Sequence, residues 1–220
     1  MSKRETGIKA GEALGILRAG PDDLPRIMAD ATALRKRHFG RALHLCSIIN
    51  ARSGACSEDC AFCAQSVHHK TKCNVFGLCS EAKLVAAHAE ASRLPVGRFG
   101  VVTSGPAQGP AAVERIVKAI RQSRKTRVEW CASLGGVGEA ELRALKKAGV
   151  KRFHHNIETA ESFFPNVCTT HAFADRIATI RAVRRAGLQV CSGGILGMGE
   201  SIEQRVEMAM TLARERVDSI

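Results

Sequence analysis

Apolar residues in this chain of 220 residues recur with two alternating periods. Segments in which they fall three or four positions apart line one face of an α-helix, and short β-branched runs between them have the pattern of strands. The helical period covers about 22–38, ending at Gly40, and a segment around 80–93 that Ser80 is placed to cap. It returns in "AAVERIVKAIRQSRK", "EAELRALKKAG", "AFADRIATIRAVRRAG" and "SIEQRVEMAMTLARERV". The strand-like runs are "ALHLCSIIN", "GRFGVVTSG", "RVEWCASLG", "VKRFHHNIET" and "LQVCSGGI". Two helices close on Ala-Gly just before a Val or a Leu, a glycine stop ahead of the next strand. Strands alternating with helices imply βαβ units and a parallel sheet.

Strand parity sorts the side chains by face. His154, Asn156 and Glu158 oppose Phe153, His155 and Ile157; Glu129, Cys131 and Ser133 oppose Val128 and Trp130; Gln189, Cys191 and Gly193 oppose Leu188 and Val190. One face is polar and rich in cysteine, the other mostly apolar. A doubly wound sheet covered by helices on both faces asks for apolar runs on both. A (β/α) TIM-type barrel with a site in its lumen fits the split better. The expected organisation is a helical extension over 1–40 and a partial barrel over 41–220. Eight βα units take about 250 residues, and this chain supplies about five before ending at "VDSI", where a sixth strand would begin. The sequence is therefore expected to be a fragment or a shortened form.

Composition changes this picture little. Hydrophobic residues make up 45% and charged residues 25%, enough for a real core. No run of about 18 apolar residues offers a membrane span, and the basic N-terminus lacks the apolar stretch of a secretory signal. Nine cysteines without an export signal point to reduced thiols in a cytoplasmic protein rather than a disulfide framework. The net charge of +12 is scattered along the chain, and with no Tyr and one Trp there is little stacking surface for bases. A solvated basic surface, without a nucleic-acid partner, is the expectation.

The candidate chemistry lies in "GACSEDCAFCAQS", on the loop after the first strand, at the sheet end where barrel enzymes keep their sites. Cys56, Cys60 and Cys63 have the spacing C-x3-C-x2-C. A structural zinc site takes four ligands, the fourth available from His68, His69 or Cys73, but no second C-x2-C pair follows. An iron–sulfur cubane held by three cysteines leaves one iron open for a bound molecule. Spacing alone leaves both open.

The triplet, with Phe62 before its last cysteine, resembles the signature of the radical S-adenosylmethionine (SAM) enzymes. The longer string "NARSGACSEDCAFCAQS", with His68 and His69 beyond it, is similar to the biotin synthase family, as are "HHNIET" and "VCSGGILGMGE". The resemblance implies a radical SAM barrel in which Cys56, Cys60 and Cys63 hold a 4Fe-4S cluster. The open iron would chelate SAM, whose reductive cleavage yields a radical that abstracts hydrogen from dethiobiotin. Sulfur insertion then closes the ring of biotin. It further implies that Phe62 and Ile195 pack the adenine, that Asn156 and Glu158 bind the ribose or lie beside the substrate, and that Arg176 pairs with the methionyl carboxylate. An electron donor such as flavodoxin or ferredoxin and a homodimeric assembly also follow from it. Read without the resemblance, Phe62 and Ile195 are ordinary core residues and Arg176 a solvated helix position.

The family's best-known members hold a second, 2Fe-2S cluster in the lumen on three cysteines and an arginine. Cys131 and Cys191 match two of these, but Gly100 stands at the third. Cys46, inward on the first strand, is the expected substitute, one strand spacing from Gly100, giving an auxiliary iron–sulfur cluster of 2Fe-2S or variant type. Another radical SAM enzyme, such as a hydrogenase-cofactor maturase, and a zinc-binding nucleic-acid module are the competing readings. "GGVGE" lacks the Gly-Lys-Ser/Thr ending of a phosphate loop and reads as a strand-to-helix turn.

Overall fold

The computed structural model describes residues 7–220; the first six residues of the expected N-terminal extension lie outside them. The extension holds two helices, α1 (Ala10–Leu17) and α2 (Leu24–Phe39), separated at Gly20 and a 3-10 turn over Pro21–Asp23. Proline fixes its own φ and lacks an N–H, so it starts a helix more readily than it continues one. Then follow β1 (Cys46–Arg52), α3 (Glu81–Ala91), β2 (Arg98–Thr103), α4 (Pro110–Gln122) and β3 (Glu129–Ser133). The described chain continues with α5 (Glu139–Ala148), β4 (Val150–His154), α6 (Phe173–Arg185), β5 (Gln189–Cys191) and α7 (Ile202–Arg214). The Ser80 hydroxyl caps α3 by accepting the Lys83 N–H at 3.2 Å.

All five strands are parallel, in the order β1-β2-β3-β4-β5. This is the incomplete (β/α) barrel that the alternating periods imply. The two strand faces also divide as parity requires. Phe99, Val101, Trp130, Ala132, Phe153 and Val190 are buried with the inner faces of α3 to α7 in one core. Arg98, Gly100, Cys131, Ser133, Arg152, His154 and Cys191 take the other face and are only half-buried. Within the core His88 stacks on Trp130 at 4.2 Å and hydrogen-bonds the Val128 carbonyl at 3.1 Å, which satisfies a buried polar ring.

Helix α1 packs on α7, and Arg18 pairs with Glu203 there. Helix α2 buries none of its residues. Beyond α7 the chain turns back beside β5: Asp218 N–H donates to the Val190 carbonyl at 2.9 Å and Ser192 N–H to the Ser219 carbonyl at 3.0 Å, in parallel register. Among the described residues no helix is long and apolar enough to cross a membrane.

All five strands are shorter than their apolar runs suggest, β1, β4 and β5 in ways that bear on the site. Residues 42–45 precede β1, β4 stops at His154, and β5 stops at Cys191. Asn156 and Glu158 therefore leave the sheet for the turn above β4, and Glu158 adopts a left-handed φ of 69°. Alternation continued past the strand end in sequence because polar residues lining a cavity mimic a half-buried strand.

Candidate functional site

The cysteine loop leaves β1 through two left-handed residues, Gly54 (φ 69°) and Ala55 (φ 49°). A Cβ at Gly54 would come within 2.7 Å of Val75 Cγ2, so the approach of residues 74–75 requires glycine. The loop then closes on itself. Cys56 N–H donates to the Gln65 carbonyl at 3.0 Å, Val67 N–H to the Cys56 carbonyl at 2.9 Å, and Gly54 N–H to Gln65 Oε1 at 2.9 Å. His68 Nε2 lies 3.0 Å from the Ser57 carbonyl and His69 Nε2 3.0 Å from the Cys60 carbonyl. Both rings thus brace the loop backbone. Neither they nor Cys73 line the cavity, so none of these three candidates is brought to the triplet as a fourth zinc ligand.

Cys56, Cys60 and Cys63 form one wall of a cavity of about 650 Å³ at the C-terminal end of the sheet. Cys56 and Cys60 are buried and Cys63 half-buried. Burial, with the Cys168 thiol 3.7 Å away, pushes the Cys60 thiol up to about 12. Three cysteines lining one cavity are compatible with a cluster that keeps one iron for a ligand.

The same cavity is lined by Phe62, Asn156, Glu158, Arg176 and Ile195. Phe62 is 38% exposed and Ile195 37%, so neither is an ordinary core residue. Arg176, far from a solvated helix position, has a side chain only 14% exposed. Its Nη1 donates to Glu158 Oε1 at 3.2 Å and to the Asn156 carbonyl at 3.3 Å, and its Nε donates to His171 Nε2 at 3.0 Å. Asn156 Nδ2 donates to Glu158 Oε2 at 3.4 Å. Burial raises the Glu158 carboxyl above its usual range, and Arg176 and Asn156 offset only part of this. Burial also pushes His154 down and His155 down to about 3, so both rings are neutral at pH 7.

Glu158 is held by backbone as well. Ile195 N–H donates to the Glu158 carbonyl at 2.8 Å, in a bridge that pairs Glu158 with Gly194. A Cβ on Gly194 would lie 2.5 Å from that carbonyl oxygen, so only glycine lets the two turns meet.

A second set of groups has no periodic signal in sequence. Asp59, in the cysteine loop, accepts the Thr169 N–H at 2.9 Å, the Cys168 thiol at 3.2 Å and the Thr169 hydroxyl, which hold its carboxyl well below the usual range. Glu58 meets His171 and accepts the Thr170 hydroxyl at 2.6 Å. The acidic pair between the first two cysteines and the "CTTH" run at 168–171 are the only sequence traces of this contact. Cys60, Cys168 and His171 offer donor atoms all within 4.8 Å of one another. Both ring nitrogens of His171 are committed, however, Nδ1 to Glu58 and Nε2 to Arg176, so a metal ion there would have to displace whichever bond its ligating nitrogen makes.

Deeper in the lumen, register corrects one expectation. Ile48, not Cys46, lies opposite Gly100, with its Cγ2 at 3.4 Å from where a Cβ would stand. Cys46 pairs with Arg98, two residues nearer the strand's start. It still shares the inner face with Cys131, whose thiol burial pushes up to about 11; the nearby Cys46 adds to this, and Arg98 and Arg152 oppose it. Cys191 shares that face from β5, in register with His154. Arg98 Nε is buried with no hydrogen-bond partner, its nearest carboxylate, Glu129, being 3.6 Å away.

Comparison with known proteins gives the family. The family model described as the radical SAM superfamily matches residues 51–212. Among curated relatives, the biotin synthase of Citrifermentans bemidjiense is 45% identical over 97% of this chain and 65% of its own length. That of Nitratidesulfovibrio vulgaris (strain Miyazaki F) is 47% identical over 98% of this chain and 62% of its own. The chain thus spans less than two thirds of these relatives. Among solved structures, methylornithine synthase superposes with a TM-score of 0.83 at 16% identity, covering 97% of this chain and 63% of that one. The FeFe-hydrogenase maturase HydG from Carboxydothermus hydrogenoformans does so at 0.74 and 16%, covering 94% and 50%. Since the matched region runs from the end of β1 through the cysteine loop to α7, and carries every wall of the cavity, the chain belongs to the radical SAM superfamily.

Proposed function

We propose that this chain is the catalytic core of a biotin synthase, which inserts sulfur into dethiobiotin. The carrying observation is that the three cysteines share one cavity with Asn156, Glu158 and Arg176. Cys56, Cys60 and Cys63 would hold a 4Fe-4S cluster. When bound, that cluster supplies the single electron, drawn from a flavodoxin or ferredoxin, that cleaves SAM.

The protein's part is to bind and orient. Arg176, already turned inward, pairs with the methionyl carboxylate. Glu158, whose carboxyl is 11% exposed, accepts hydrogen bonds from the ribose, and Asn156 fixes its orientation. Phe62 and Ile195 present apolar surface to the adenine from opposite loops. His154 and His155 stay neutral and add no charge beside the reacting bond.

Cys131 and Cys191, with Cys46 on the same sheet face two strands from Cys131, would hold the auxiliary iron–sulfur cluster that donates sulfur. Arg98 Nε, buried without a hydrogen bond and 3.6 Å from Glu129, brings positive charge to the same sheet face. Nine free thiols accord with a reducing, cytoplasmic setting, and the assembly proposed is a homodimer.

The test is Cys60→Ala in anaerobically reconstituted protein. It should lose the roughly four irons of the triplet cluster and SAM cleavage together. Retention of cleavage refutes the assignment.

A further inference from the structure

Two segments distant in sequence meet behind Arg176. Glu58 lies in the cysteine loop, and His171 lies just before α6, with its ring edge-on to Phe164 at 5.5 Å. Arg176 Nε donates to His171 Nε2 at 3.0 Å. That nitrogen must therefore carry its lone pair, which places the ring proton on Nδ1, where Glu58 accepts it. One arrangement of the ring satisfies both bonds, with Cys168 Sγ also 3.2 Å from Nδ1. The Thr170 hydroxyl donates to the same Glu58 oxygen at 2.6 Å and holds the carboxylate in place. With Nε fixed from behind, the guanidinium turns its Nη1 toward Glu158 and the Asn156 carbonyl.

We propose that His171 is a positioning residue for SAM binding. Held by Glu58, it fixes the plane of the Arg176 guanidinium and ties the residue gripping the methionyl carboxylate to the loop carrying the cluster cysteines. This rests on the reading of Arg176 given above. An arginine free to rotate about its whole stem gives up that freedom on binding, and one already held at Nε gives up less.

The test uses cluster-loaded protein, with iron content and the SAM dissociation constant from equilibrium dialysis as readouts. His171→Leu should weaken SAM binding about tenfold and leave the iron content unchanged. Because His171 acts through Arg176, the double variant His171→Leu/Arg176→Ala should bind no more weakly than Arg176→Ala alone. Glu58→Gln, which still accepts from Nδ1, should stay within about twofold of the parent, whereas Glu58→Ala should match His171→Leu. Unchanged affinity in Arg176→Ala overturns the reading of Arg176 itself. Weakened binding in Arg176→Ala beside parental affinity in His171→Leu, or additive losses in the double variant, overturns the relay alone. Should His171→Leu fail to load its cluster, the Glu58 pair decides: equal affinities in Gln and Ala refute the proposal.

Discussion

Glu200 closes the loop after β5, and its replacement by glutamine should destabilise the protein in a pH-dependent way. The carboxylate accepts the Gly197 N–H at 2.7 Å, the Met198 N–H at 2.8 Å and Arg205 Nε at 2.8 Å, with 1% of its side chain exposed. These bonds, the Gly197 N–H foremost, hold its carboxyl at about 2, against the usual 4.5. At about 1.4 kcal/mol for each pH unit, the charged form contributes roughly 3 kcal/mol to stability. The unfolded chain binds the proton more readily, so this contribution is complete above the unfolded value near 4.5. It falls away as pH drops toward 2. Glu200→Gln keeps the shape but sets an amide N–H₂ against backbone or arginine donors. Urea denaturation followed by circular dichroism should show the variant about 3 kcal/mol less stable at pH 7, the gap shrinking to little over half of that by pH 3.5. A gap below about 0.5 kcal/mol at pH 7, the range of an unremarkable surface change, or one equal at both pH values refutes this account.

Two further outcomes follow from the same region. Gly194→Ala sets a Cβ 2.5 Å from the Glu158 carbonyl oxygen and hard against Met208 Sδ. It should cost about 1–3 kcal/mol, as overpacking does, lowering Tm in a thermal melt by about 2–4 °C for each kcal/mol; an unchanged Tm means the turns separate freely. Glu158→Gln removes a charge-assisted acceptor worth about 1.5–3 kcal/mol. It should weaken SAM binding by roughly tenfold or more in equilibrium dialysis, and unchanged affinity takes Glu158 out of the site.

What the sequence determined by itself is what depends on neighbours along the chain. Helical and strand periods set the order of elements, because each period records which local face meets the core. The alternation in β3 to β5 was enough to place Cys131 and Cys191 on the inner face, with Trp130 and Phe153 beneath the helices. The triplet was equally legible, since its three cysteines lie on one short loop whose own hydrogen bonds bring them together. Tertiary structure decided everything that joins distant segments. Strand register set Ile48 rather than Cys46 against Gly100, and no side-chain pattern within one strand encodes its slip against the next. The inward turn of Arg176 depends on Glu158 and His171, and His171 in turn on Glu58, 113 residues away. Asn156 and Glu158 kept a strand's alternation after the regular strand had ended, because His155 and Ile157 still donate to the Cys191 and Gly193 carbonyls and Glu158 bridges Gly194 across the cavity floor.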